Sequence, residues 1–425
     1  MNILAINPWI QDFAAYDFWL KPYGFLVILQ FLKDKGVNID FIDCLDKKET
    51  TDNFGRGKYF SQIIDKPEIL KSIPRYYKRY GMSPEEFTTK LIDKKPNFIL
   101  ITSSMTYWYT GVKETVNILR KHFPKTPIIL GGTYATLCYE HALKNIGCDY
   151  VFKTENLAEF FKLLNIPYNN FSLYSTLPAY ENLYNKIDYI VFRTTWGCYF
   201  NCSYCAIKHL HKDFFLISKE KILEFIKRYT LKGVKHFVFY DEALLYNQNY
   251  IKELLRDIIK LNLDLCFHTP NALHLKFLDD EIAYLLKQSG FINPHFGLET
   301  LNPRLQKLWG DKVNRKDLIR GVNLLKRSGY KEGEFSVYLL LGYPKQNLNK
   351  LKEEIKFLHN LGVKVSLAEF SPVPKTKIFK PYRKKLSEPL LHNNSIFGFF
   401  SQNKIKEFWE IKNYVRELNR KFTYQ

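Results

Sequence analysis

Residues 189–205 read YIVFRTTWGCYFNCSYC. The first part is a short run of apolar and β-branched residues, the pattern of a buried strand. Three cysteines follow at once, Cys198, Cys202 and Cys205, spaced Cys-x3-Cys-x2-Cys. Three thiolates on one compact loop suit a soft metal centre. An iron–sulfur cube has four iron corners, so three cysteines leave one iron open to an exogenous ligand. Gly197 lets the backbone bend tightly in front of the first cysteine. Zinc stays open as the alternative, because His209 follows Cys205 by four residues and would complete a Cys3His set. That alternative does not explain why the loop caps a strand that opens a long βα series.

Downstream of the loop, strands are expected at 236–240, 263–268, 292–299, 334–341 and 363–370. Helical patterns separate them, for instance at 219–229, 250–261 and 348–361. With 189–194 this makes six βα units, a partial barrel whose chemistry belongs at the carboxyl ends of its strands. Upstream, strands at 2–6, 37–43, 97–102, 127–130 and 148–152 alternate with helices at 23–35, 111–122 and 136–144. That alternation predicts a parallel, doubly wound sheet, which binds ligands outside the carboxyl ends of its strands.

The fold class is therefore α/β. An N-terminal doubly wound, Rossmann-like parallel sheet (1–164) precedes a partial (β/α)6 TIM-type barrel (187–380). Residues 165–186, rich in Asn, Tyr and Pro, read as a linker, and 381–425 as a helical extension with a helix at 404–419. An interruption at about 47–95, rich in Lys, Arg and Tyr, carries one expected helix at 83–93. A loop of that length needs its own structure or a purpose.

The chain has 425 residues, 46% hydrophobic and 25% charged, which excludes a disordered or fibrous protein. No apolar run of membrane-spanning length occurs. The N-terminus lacks the pattern of a secretory signal, so a cytoplasmic protein is expected. A formal net charge of +20 would attract nucleic acid. The lysines are scattered along the whole chain, however, and no docking motif accompanies them, so neither a nucleic-acid nor a membrane partner is expected. Cys44, Cys138, Cys148 and Cys266 stand apart, unlike a disulfide framework.

The cysteine loop followed by the barrel resembles the radical S-adenosylmethionine (SAM) superfamily. The resemblance implies a [4Fe–4S] cluster on Cys198, Cys202 and Cys205, with SAM chelating the open iron. Reductive cleavage of SAM then yields a 5′-deoxyadenosyl radical, which needs an external electron donor of the flavodoxin or ferredoxin type. Further contacts to SAM are implied by position in four segments. Tyr204 fills the aromatic place before the last cysteine. Asp241 and Glu242 lie in FYDEALL (239–245), Glu299 in HFGLETLNP (295–303), and Gly342 with Pro344 in LLLGYP (339–344). SPVPKT (371–376) resembles a barrel-ending turn, with Lys375 where glycine is more usual.

Residues 1 to about 160 resemble the cobalamin-binding domain that precedes many such barrels. The matching pieces are residues 21–44, LITSSMTYW (100–108) and PIILGGTYATLC (127–138). Ser103, Ser104 and Met105, with Gly131 and Gly132, are implied to line the nucleotide tail of cobalamin, although Met105 departs from the usual Leu. No histidine occurs before His122, so the loop after the first strand offers no histidine ligand to cobalt. Trp108, Tyr107 and Tyr109 are candidates for packing on the corrin, on substrate or simply in the core.

Three readings follow. The first is cobalamin-dependent methyl transfer to an unactivated carbon. The second is a cobalamin-independent rearrangement, cyclisation or dehydrogenation. The third, of another class, is a nucleic-acid-binding protein with a structural metal. His268, just before TPNALHL (269–275), and His274, within it, are acid or base candidates. No catalytic residue and no substrate is named by the sequence.

Overall fold

The computed structural model describes residues 1–401 and 405–422. The chain divides into two compact units. One holds Met1–Asp188, His209–His211 and Phe379–Ser395; the other holds Tyr189–Lys208, Lys212–Ile378 and the chain from Ile396 onward.

The first unit is built on five parallel strands in the spatial order Tyr150–Val151, Ile128–Leu130, Phe98–Ile101, Asn2–Asn7, Asn38–Asp43. Ile3, Leu4, Ala5 and Ile6 are all buried, as befits a strand covered on both faces. The strand order reverses between Asn2–Asn7 and Phe98–Ile101, which are neighbours. In doubly wound sheets that reversal opens the crevice where a ligand enters.

The expected helix at 136–144 is two short helices, Thr133–Leu137 and Tyr139–Asn145. The interruption departs further from its reading. Ser61–Ile63, Lys78–Tyr80 and Ile10–Asp12 form a small antiparallel sheet, and Lys48–Thr51 pairs with Gly57–Tyr59. These strands have three or four residues of mixed polarity, too short for periodicity to reveal. The helix there is Pro84–Thr89, its start fixed by the Ser83 side chain accepting from Glu86 N.

Residues 165–186, expected as a linker, pack onto this unit. Ala179 N donates to Leu26 O, and the Tyr184 hydroxyl donates to Asp43 Oδ2 at 2.6 Å. A strap from the C-terminal region, Phe379–Ser395, also belongs here. Asn393 Nδ2 donates to the buried Asp12 at 2.7 Å, Trp108 Nε1 donates to the same carboxylate at 2.7 Å, and His392 Nδ1 meets Thr106 Oγ1 at 2.9 Å.

The second unit carries six parallel strands in chain order: Ile190–Phe192, His236–Phe239, Cys266–His268, His295–Glu299, Ser336–Leu341 and Lys364–Glu369. They form two three-stranded sheets joined by single bridges, Phe267 to Phe291 and Leu273 to Phe296. Each strand is shorter than its expected run, most of the difference lying at the amino-terminal ends, as at 263–265, 292–294 and 334–335. The helices are capped where the sequence offers Ser, Asp or Asn: Asp279 accepts from Ile282 N, and Asn314 with Asp317 makes a reciprocal capping box. The C-terminal helix is Ile405–Lys421; residue 404 of the expected range lies outside the described residues.

Candidate active site

The cysteine loop leaves the first barrel strand at Arg193. Thr195–Trp196 pairs antiparallel with Phe215–Leu216, which folds the loop back on itself. Gly197 has φ +79°, and a Cβ there would come within 2.3 Å of Asp213 O, so no other residue fits. Cys198 is buried, Cys202 half-buried and Cys205 exposed. Cys205 N donates to Cys202 O at 3.1 Å. Among the described residues, no three His, Cys, Asp or Glu side chains gather tightly enough to hold a single metal ion.

Desolvation of the sulfur pushes all three thiols up, that of Cys205 included although the residue as a whole is exposed, and takes Cys198 to about 11. The Lys312 ammonium opposes this at Cys202 and Cys205. Lys312 was not singled out in the sequence. It is buried, and its Nζ donates to Glu299 Oε1 at 2.5 Å. The segment leading to it closes on the cysteine loop. Trp309 meets Tyr204 edge-on at 5.8 Å, and a Cβ on Gly310 would sit 3.2 Å from Cys202 Sγ. One lysine in a chain with 63 Lys and Arg carries no sequence signal of its own; only its place after the Gly-x-Glu strand could have marked it.

Asp241 and Glu242, adjacent in sequence, do different things. The buried Asp241 Oδ1 accepts from Thr194 N (3.0 Å), Thr194 Oγ1 (2.7 Å), Thr195 N (2.7 Å) and Thr195 Oγ1 (2.8 Å). Its carboxylate is committed to the root of the cysteine loop. Glu242 Oε1 pairs with Arg193, while its Oε2 is buried with no partner. Burial pushes Glu242 up to about 7; Arg193 pulls the other way and Asp241 adds to the rise. An orphaned acceptor oxygen of this kind is what a bound ammonium would satisfy.

Glu299 ends the fourth strand at φ +66°, with a register shift in the ladder just before it. Gly342 directly follows the fifth strand, and its N donates to Gln346 Oε1 at 2.6 Å. Lys375, in the glycine place of the barrel-ending turn, adopts φ +68°. His274 is buried beside the cysteine loop, whereas His268 meets His236 Nδ1 at 3.1 Å. The barrel thus brings Tyr204, Glu299 and Lys312 to Cys202, and Arg193, Asp241 and Glu242 to the root of the loop. These donors and the orphaned oxygen fit a three-thiolate cluster with an aminoacyl ligand.

In the first unit, Ser103, Gly131 and Gly132 meet at the carboxyl ends of adjacent strands. Ser103 Oγ donates to Gly131 O at 2.6 Å and accepts from Ala135 N at 3.2 Å. Gly132 has φ +96°, and a Cβ there would lie 2.2 Å from Ser103 O. Gly131 by contrast faces open space, with nothing within 4 Å of where its Cβ would be. Ser104 and Met105 are exposed on the loop. A bare glycine beside an exposed loop at the sheet's reversal point fits a bulky ligand. The loop after the first strand, which lacks histidine, becomes the edge strand Ile10–Asp12.

Comparison with known proteins agrees with this geometry. The Radical SAM superfamily matches residues 192–358, and the B12 binding domain matches residues 77–159. An uncharacterized methyltransferase of Pyrococcus horikoshii is 22% identical over 319 residues, 66% of this chain and 67% of that protein. The ribosomal protein uS12 methylthiotransferase RimO of Clostridium kluyveri is 26% identical over 181 residues, 40% of this chain and 39% of that protein. Among solved structures, the radical SAM methyltransferase TsrM from Kitasatospora setae superposes with TM-score 0.67 at 14% identity, covering 90% of this chain and 76% of that one. The cobalamin-dependent SAM radical enzyme OxsB gives 0.58 at 12%, covering 92% and 56%. At these identities the superpositions establish the fold.

The chain is a two-domain α/β protein with a B12-binding domain ahead of a radical SAM barrel. The radical SAM match lies in the barrel and the B12-binding match in the first unit, and these domains imply a [4Fe–4S] cluster, SAM and cobalamin as cofactors. Such an enzyme needs a substrate and a reductant. Among the described residues, no helix is long and apolar enough to cross a membrane.

Proposed function

We propose that this enzyme transfers a methyl group from SAM, by way of cobalamin, to an unactivated carbon. The observation that carries the reading is the pairing in one chain of a B12-binding domain with a barrel whose first strand delivers three cysteines. The names of the Pyrococcus relative and of TsrM, both methyltransferases, support it. The alternative of a nucleic-acid-binding protein with a structural metal gives way to the domain match over 192–358.

We assign Cys198, Cys202 and Cys205 to the cluster. When bound, the cluster would supply the electron for reductive cleavage of SAM. Glu242 Oε2 would receive the SAM ammonium, with Arg193 holding the other oxygen. Asp241 positions the loop through Thr194 and Thr195 rather than touching SAM itself. Tyr204 and Glu299 flank the ligand, Lys312 neutralises Glu299, and Gly342 leaves room at the end of its strand. In the first unit, Gly131, Gly132 and Ser103 hold the cobalamin tail, with Ser104 and Met105 at its edge. A flavodoxin or ferredoxin as donor, and a cytoplasmic setting, complete the proposal.

The test is anaerobic reconstitution with hydroxocobalamin, SAM and reductant, followed by mass spectrometry. The reading expects one corrinoid per chain and both 5′-deoxyadenosine and S-adenosylhomocysteine. Cluster loading without corrinoid binding sinks it. The absent histidine motivates the second reading, a cobalamin-independent radical reaction, which expects 5′-deoxyadenosine alone.

A further inference from the structure

His274 lies on the segment that leaves the third barrel strand. Leu273 is bridged to Phe296 of the fourth strand: its N donates to His295 O at 2.8 Å, and Gly297 N donates to its carbonyl at 3.0 Å. Extended backbone alternates its side chains, so Ala272 and His274 share the opposite face. A Cβ built on Gly297 would lie 3.2 Å from Ala272 Cβ, 2.8 Å from Lys312 Nζ and 3.2 Å from Glu299 Oε1. The face shared by Ala272 and His274 is therefore the one lined by the Glu299–Lys312 pair. The imidazole also stacks on Phe200, 4.7 Å between centroids and 16° between planes. Phe200 stands midway between Cys198 and Cys202.

His274 is 6% exposed, and its Nδ1 is buried with no partner. A buried ring nitrogen left unmade costs about 1–3 kcal/mol. Burial, with the Lys312 charge adding to it, pushes this histidine down to about 3. A neutral imidazole carries one N–H and can donate a single hydrogen bond.

We propose that His274 donates a hydrogen bond from its ring N–H to a sulfur of the cluster and thereby raises the cluster's reduction potential. The inference rests on the assignment of the cluster to Cys198, Cys202 and Cys205. Reduction places added negative charge on the sulfurs, so a fixed donor stabilises the reduced state more than the oxidised one. Lys312 acts in the same direction by charge, but its ammonium is already tied to Glu299.

The experiment is an EPR-monitored redox titration of the anaerobically reconstituted full chain, with iron, sulfide and SAM binding measured alongside. H274F keeps a ring on Phe200 and removes the donor. Its iron and sulfide content is expected to equal the wild type's, with a midpoint shifted to lower potential and SAM affinity unchanged. H274N, which keeps an N–H, is expected between the two. If H274F does not load, H274L takes its place in the comparison. Equal midpoints in all variants overturn the proposal. So does a loss of SAM affinity at constant midpoint, which would assign the ring to SAM. Variants that never load while H274N does would assign it to assembly, also against the proposal. A wild type with no reducible cluster sinks the parent reading too; a reducible cluster indifferent to position 274 sinks this inference alone.

Discussion

Lys312 Nζ lies 2.5 Å from Glu299 Oε1, and each side chain is 9% exposed. Breaking such a pair by removing one partner leaves a buried charge uncompensated and costs about 3–5 kcal/mol. K312M should lower the urea midpoint of the apo chain by a corresponding amount. The double variant K312M/E299Q should recover much of the loss, since no lone charge remains. A cycle showing simple additivity would mean that the pair is not coupled.

Asp241 predicts a different phenotype. Four donors from Thr194 and Thr195 converge on Oδ1. D241N keeps the shape but lowers the acceptor strength and turns an amide toward backbone N–H groups. Hydrogen bonds to a charged group are worth about 1.5–3 kcal/mol each way, so the root of the cysteine loop should loosen. Iron bound per chain after reconstitution should fall, while T194A, which removes one donor of the four, should load more nearly normally.

Glu242 sets a pH dependence. Its folded pKa is about 7, above the ordinary glutamate value of 4.5. Between those values the folded chain holds a proton that the unfolded chain has released. The stabilising contribution is complete below pH 4.5 and is lost as pH rises toward 7. For an isolated group this amounts to roughly 3 kcal/mol. Denaturant unfolding of the apo chain at a series of pH values should show that downward slope in the difference between wild type and E242Q. A flat difference would refute it.

Gly131 offers a steric test of the cobalamin assignment. Nothing lies within 4 Å of its missing Cβ, so G131L should fold. If the cobalamin tail runs there, the leucine should weaken hydroxocobalamin binding at least tenfold, about 1.4 kcal/mol. Retention of corrinoid on gel filtration reads this out, with S103A as a milder perturbation of the same corner.

Lys375 holds φ +68° in a place where related turns use glycine. The left-handed region costs a β-carbon-bearing residue about 1–2 kcal/mol. K375G should therefore stabilise the chain, by less than that amount because glycine has more freedom to lose on folding. Chemical denaturation measures the gain.

Much of this architecture was legible because local chemistry and global fold agree. The cysteine spacing sits at the end of an apolar run, and central strands hold fully buried runs such as Ile3–Ile6. The parts that escaped have a physical reason for doing so. Lys312 and Arg193 matter through partners far along the chain or across a strand end, and their residue type is common here. Asp241 and Glu242 look equivalent in sequence and are separated only by which one the threonines capture. The short antiparallel strands around 48–80 lack the length for a period. The strap at 379–395 is polar and irregular, and its role rests on Asn393 and His392 finding Asp12 and Thr106.

That strap gives the first unit a non-contiguous covalent make-up. Its five-stranded sheet is finished when Val151 has been made, yet the groups that close over Asp12 and Thr106 emerge from the ribosome more than two hundred residues later. Domains generally mature in the order of synthesis. Here the N-terminal half must wait, with a carboxylate and a hydroxyl temporarily solvated, until the barrel has been translated. An isolated N-terminal fragment, however generously cut, would be a permanently unfinished body.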